Sequence, residues 1–218
     1  MARLNVAVLI SGRGSNLQAL IDGCAVADFP AQIGLVISNV AGAAGLDRAQ
    51  EAGIATDVID HRDYADREGF EAALDRALTA AGIELICLAG FMRLLTPGFV
   101  DRWKDRLINI HPSLLPAYKG LDTHARVLAD GVRFTGCTVH FVRVKMDHGP
   151  IIIQAAVPVH RDDDEDTLAA RVLAAEHLCY PRALRLIAEG KLEITDEIVT
   201  ITGIDSPDTV LINPKIDC

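Results

Sequence analysis

Asn109 and His111 are the two residues whose types and spacing most directly suggest chemistry. They stand two apart in Leu107-Ile108-Asn109-Ile110-His111-Pro112, so in an extended chain both project from one face while Ile108 and Ile110 point to the other. Pro112 cannot continue a ladder and biases His111 towards extended backbone, which puts the pair at the end of a strand. A carboxamide donor beside an imidazole suits acyl transfer: one group hydrogen-bonds a developing oxyanion and the other moves a proton. A histidine at a strand end also has an ordinary structural use. Asp147, in Lys145-Met146-Asp147-His148-Gly149-Pro150, is either a turn-forming aspartate or the carboxylate that orients His111 and favours its charged form.

A second candidate is the turn Ser11-Gly12-Arg13-Gly14-Ser15-Asn16. Between a strand and a helix, such a turn aims free backbone N–H groups and the positive end of the helix at one point, which suits a phosphate. As a dinucleotide fingerprint it fails, because Leu17 takes the third glycine position and Ser38-Asn39 offers no acid for a ribose diol. It also lacks a P-loop lysine, so a single phosphate is the expected ligand. The same residues fit a plain tight turn capped by Ser15.

Other constellations carry less. His61, His124, His140, His148, His160 and His177 form no metal-binding spacing, and no Gly-x-Ser-x-Gly elbow occurs, so neither a metal site nor a serine hydrolase is expected. The run Asp162-Asp163-Asp164-Glu165-Asp166 places Thr167 and Leu173 where a calcium loop needs Gly and Glu, and reads instead as the acidic start of a helix.

These groups need elements to hold them. Val6–Ile10, Ile33–Ile37, Thr56–Ile59, Leu85–Leu88 and Leu107–Ile110 are apolar enough for strands buried on both faces. Helical segments are expected at Leu17–Val26, Gly45–Ala52, Tyr64–Ala81 and Pro97–Trp103. The alternation predicts a Rossmann-like, doubly wound α/β fold with a mostly parallel sheet. Gly136–Val144 and Ile151–Val159 should add an antiparallel hairpin, followed by a long helix through Leu168, Val172, Ala175 and Cys179 that Gly190 ends and Pro181 kinks or interrupts.

Composition bounds what the fold can serve. Half of the 218 residues are apolar, enough for a sizeable core, and 21 basic against 30 acidic residues give a net charge of −9. With no run of basic residues, a sequence-independent nucleic-acid surface is not expected. The longest apolar stretch, Leu85–Met92, is too short for a membrane span, and no signal peptide precedes the first strand, so a cytoplasmic protein is expected. Cys24, Cys87, Cys137, Cys179 and Cys218 are odd in number and contain no Cys-x-x-Cys pair, which suits reduced thiols rather than disulfides or zinc.

Taken together, six segments resemble the phosphoribosylglycinamide formyltransferase (GAR transformylase) family. They are Ile10–Leu17, Leu88–Arg93, Asn109–Pro116, Gly136–Val142, Asp147–Pro150 and Glu176–Pro181, in order within a similarity spanning Asn5–Leu192. The resemblance implies formyl transfer from 10-formyltetrahydrofolate, as co-substrate, to the amino group of glycinamide ribonucleotide, with no metal. It implies Asn109, His111 and Asp147 as the catalytic trio, Gly14, Ser15 and Asn16 at the substrate phosphate, and Glu176 at the ribose. Met92, Arg93, Leu94 and Leu95, with Arg67 and Asn109, would meet the folate. Residues 1–192 would form the catalytic domain and 193–218 a tail, as a monomer or homodimer.

Two positions depart from the family pattern: Arg13 replaces a small polar residue, and His148 adds an imidazole beside Asp147. The trio also resembles those of formyltetrahydrofolate deformylase, which normally carries an N-terminal regulatory domain, and of methionyl-tRNA formyltransferase, which normally carries a C-terminal tRNA-binding domain. A non-catalytic folate or nucleotide-binding module would not need all three trio residues.

Overall fold

The computed structural model describes residues 2–204 and 208–214. Cys218 and part of the expected 193–218 tail lie outside the described residues. The expected strands form as β1 (Leu4–Ile10), β2 (Ala31–Ser38), β3 (Thr56–Val58), β4 (Leu85–Leu88) and β5 (Leu107–His111). The helices between them are α1 (Ser15–Ala25), α2 (Ala44–Glu51), α3 (Arg67–Ala80) and α4 (Pro97–Arg102). A helix not anticipated from the sequence, α5 (Thr123–Asp130), precedes the hairpin strands β6 (Phe134–Phe141) and β7 (Ile151–Pro158). The long helix α6 (Glu165–Ala188) and a small hairpin, β8 (Leu192–Thr195) and β9 (Ile198–Ile201), follow.

The main sheet has the order β3-β2-β1-β4-β5-β6-β7. Pairings from β3 through β5 are parallel and the last two antiparallel. Strand order reverses between β1 and β4, the switch point at which open α/β sheets leave a crevice for ligands. Each central strand feeds two cores. Val6, Val8 and Ile10 of β1 pack with Ile108, Ile110 and Val139 under α1, α2 and α6, while Ala7 and Leu9 pack with Ile86, Leu88 and Leu107 under α3 and α4.

Local chemistry sets the boundaries. Asp66 caps α3 by accepting from Gly69 N, and Thr96 caps α4 ahead of Pro97, whose missing N–H costs nothing at a helix start. The acidic run does open α6: Asp164 and Thr167 form a reciprocal capping box. Pro181 does not interrupt α6. It packs where Gly23 of α1 leaves room, since a Cβ on Gly23 would lie 2.9 Å from the Pro181 Cβ. β6 ends at Phe141 rather than Val144, because its N–H pairs with the carbonyl of Pro150, which has no N–H to extend the ladder. Leu115–Pro116 is cis. Cys87, Cys137 and Cys179 are buried free thiols and Cys24 is half-buried.

Candidate active site

The turn after β1 leads directly into α1. Gly14, not Ser15, occupies the N-cap, in the left-handed region at φ 71°, with no side chain capping the helix. The expected Ser15 cap is therefore replaced by an open helix start, because glycine tolerates that backbone at little steric cost and Ser15 becomes the first helical residue. A Cβ on Gly14 would lie 2.6 Å from the Cα of Gly45, so the turn rests closely on α2, where Gly45 N donates to Gly12 O. Arg48 Nε donates to Arg13 O and fixes the backbone, while the Arg13 side chain faces solvent. Asn16 Nδ2 donates to Glu176 Oε2 at 2.7 Å, joining α1 to α6. Burial pushes the Glu176 carboxyl above its ordinary range, opposed by the Asn16 hydrogen bond. Asn16 Oδ1 is buried with no partner among the described residues.

The second cluster lies on the face shared with α3 and α4, where β5 and β6 turn polar. Asn109 pairs with His140 and His111 with Thr138 across the antiparallel ladder, so all four side chains share that face. Asp147, in the β6–β7 connection at φ 52°, places Oδ2 at 3.6 Å from His111 Nδ1 and Oδ1 at 3.9 Å from His140 Nε2. His111 Nε2 donates to the carbonyl of Tyr118 at 2.9 Å, and Gly120 N donates to Asp147 Oδ2 at 2.8 Å. Both His111 nitrogens thus face oxygen atoms.

His140 has the opposite setting. It is 2% exposed, and burial pushes it below the ordinary histidine range. Its Nδ1 donates to Phe141 O, which leaves Nε2 as an acceptor for Asn109 Nδ2 at 3.4 Å. Sequence reasoning weighed His140 only as a metal ligand. Its register opposite Asn109 was the signal that could have found it. His148 is exposed and contacts the Lys119 ammonium, beside a cavity of about 160 Å³ that Asp147 and Leu115 help to line.

The loop after β4 forms the other wall of the crevice. Met92 and Leu94 are 69% and 63% exposed, and Arg93 and Leu95 are half-buried. Arg67, exposed in the first turn of α3, is one turn from Glu71, which bonds Thr96 at the end of this loop. The structure brings Asn109, His111 and Asp147 together, and separately Asn16 with Glu176. Among the described residues no group of three or more His, Cys, Asp or Glu side chains is arranged to hold a metal, and no helix is long and apolar enough to cross a membrane.

The sequence profile of the formyl transferase family matches residues 4–184, covering every element from β1 into α6. The chain belongs to the formyl transferase family. Within it, the chain is 44% identical over 200 residues to phosphoribosylglycinamide formyltransferase of Escherichia coli, covering 92% of this chain and 94% of that one. It is 52% identical over 192 residues to the trifunctional purine biosynthetic protein adenosine-3 of Gallus gallus, covering 88% of this chain but 19% of that protein. The chain therefore spans about a fifth of the length of that trifunctional relative. Among solved structures, glycinamide ribonucleotide transformylase 1 of Symbiobacterium toebii aligns with a TM-score of 0.89 and 48% identity, over 91% of this chain and 94% of that one. A formyltetrahydrofolate deformylase from Burkholderia mallei aligns more remotely, with a TM-score of 0.83, 27% identity, and 92% and 70% coverage.

Proposed function

We propose that this protein is a phosphoribosylglycinamide formyltransferase, passing the formyl group of 10-formyltetrahydrofolate to the amino group of glycinamide ribonucleotide in purine biosynthesis. The observation that carries this reading is the convergence of Asn109, His111 and Asp147 on one polar face of an otherwise apolar sheet. Likeness to the Escherichia coli transferase over nearly the whole of both chains supports the choice of acceptor.

In this reading the substrate phosphate sits on the open N–H groups of Gly14, Ser15 and Asn16, favoured by the positive end of α1. Glu176 accepts from the ribose, and the unpartnered Oδ1 of Asn16 is a further acceptor for a hydroxyl. Met92 and Leu94 offer apolar contact to the folate, with Arg67, Arg93 and Leu95 around it. The amine attacks the formyl carbon, and Asn109 and charged His111 hold the resulting oxyanion. Asp147 balances the imidazolium and helps carry the proton from the attacking amine to the departing folate nitrogen. A cytoplasmic location and a catalytic unit spanning residues 1–192 belong to the same proposal.

The test follows tetrahydrofolate production by absorbance, from 10-formyltetrahydrofolate with and without glycinamide ribonucleotide. Turnover that requires the ribonucleotide is expected. Turnover without it would make the protein a hydrolase, and none under either condition would leave a binding module.

A further inference from the structure

The loop between β4 and α4 leaves the sheet once Ala89 N has donated to Leu9 O of β1, and beyond that point side chains from elsewhere hold it. At the start, Met92 N donates to Ser11 Oγ at 2.8 Å, and the Ser11 hydroxyl donates to Asn39 Oδ1 at 2.5 Å. At the far end, the Glu71 carboxylate accepts from Thr96 N at 2.7 Å and also from the Thr96 hydroxyl. Just before the first anchor Phe91 is buried, stacked on Phe70 at a centroid distance of 6.5 Å and 11° between planes.

Neither anchor is what packing alone would select. Glu71 is 4% exposed on the apolar face of α3, beside Phe70 and Leu74, where a carboxylate is costly to bury and its hydrogen bonds go to Thr96. Ser11 is the first residue after β1, three before Gly14, so its hydroxyl bridges the switch point between the two loops of the crevice. What the anchors hold is a short segment whose large apolar side chains, Met92 and Leu94, stand in solvent. A segment held that way is arranged in advance for a ligand with an apolar face.

We propose that Ser11 and Glu71 are positioning residues for the formyl donor: they fix Met92–Leu95 as a preformed platform. Ser11 also ties that platform to the phosphate turn. The proposal rests on reading Met92–Leu95 as the folate-binding loop. Neither anchor touches the reacting atoms. Their loss returns the ordering of the loop to the binding step, which weakens ground state and transition state alike.

The experiment measures KM for each substrate and kcat in Ser11→Ala, Glu71→Ala and Glu71→Gln, alongside calorimetric titration of tetrahydrofolate and a thermal melt of each variant. Ser11→Ala and Glu71→Ala should raise KM for 10-formyltetrahydrofolate by about tenfold, with kcat within about twofold of wild type. Glu71→Gln should recover the wild-type KM, because its amide can accept from Thr96 N and donate to Thr96 Oγ. Unchanged donor KM in both alanine variants, a fall in kcat alone, or failure of Glu71→Gln to rescue would overturn the proposal. If Glu71→Ala does not fold, Ser11→Ala decides the matter. If the wild type does not transfer formyl groups yet binds tetrahydrofolate more tightly than the alanine variants, the assigned activity fails and the anchoring role stands.

Discussion

His111 Nδ1 lies 3.6 Å from Asp147 Oδ2, while the opposite ring nitrogen donates to the Tyr118 carbonyl at 2.9 Å. The Tyr118 bond fixes the ring plane, and the carboxylate faces the other ring nitrogen. Asp147→Asn removes that charge and keeps the shape. Steady-state kinetics should show kcat lower by at least about 10²-fold, the low end for general acid–base catalysis, with KM for glycinamide ribonucleotide nearly unchanged. Wild-type turnover in this variant would remove Asp147 from the mechanism.

Buried His140 supplies a stability signature. Because burial depresses it below its unfolded value of 6.5, the stability linked to its neutral form is fully present above that pH and drains away as pH falls through the depressed value. His124 and His177 shift in the same direction, again through burial. Thermal melts should therefore drop as pH falls below 6.5, and His140→Asn should show a shallower drop. An equally steep drop in the variant would show that His140 is not among the groups responsible.

Glu176 has the reverse sign. Its carboxyl is raised above 4.5 by burial, so the linked stability is complete below that value and is lost as pH rises through the shifted one. Glu176→Gln keeps an acceptor for Asn16 and removes the buried charge. It should melt above wild type at pH 8, with the difference closing near pH 4.5, while KM for glycinamide ribonucleotide rises about tenfold. A variant that melts lower at pH 8 would contradict this account.

The turn at Gly14, the proposed phosphate seat, makes a steric prediction. Gly14→Ala combines a left-handed backbone with an approach of 2.6 Å to Gly45 Cα, whereas Gly45→Ala, without a left-handed backbone, meets the movable end of Ile10 at 2.6 Å and then Gly14 Cα at 3.1 Å and Gly12 O at 3.2 Å. Gly14→Ala should lose about 1–3 kcal/mol in denaturant unfolding and raise KM for the ribonucleotide. Gly45→Ala should be the milder of the two by both measures. Equal effects would indicate that the backbone conformation of Gly14 is unimportant.

Much of this was legible in one dimension, and the reasons are physical. Strands buried on both faces read as continuous apolar runs, which is why Val6–Ile10 and Leu85–Leu88 stood out, and Pro112 marked where Asn109 and His111 had to stop. α5 was missed because it is eight residues long and follows Asp122, an N-cap in a left-handed conformation that no simple capping pattern announces. His140, Ser11 and Glu71 were missed as participants because their roles depend on register or on contacts across the fold. Glu71 in particular looks like a solvated helix residue until Thr96 is seen to meet it.

The Asn16–Glu176 hydrogen bond spans 160 residues, from the opening turn of the first helix to the last third of the chain. During synthesis at about 5–20 residues per second, roughly 8–32 s separate the appearance of these two partners. Until α6 docks, Asn16 lacks the carboxylate that holds it, and Tyr180 cannot yet bond the carbonyls of Leu88 and Ile108 at the strands beside the crevice. A growing chain can therefore assemble its parallel sheet well before the Asn16–Glu176 pair, the proposed nucleotide seat, is complete. On the proposed assignment, nucleotide binding reports the end of folding, not its beginning.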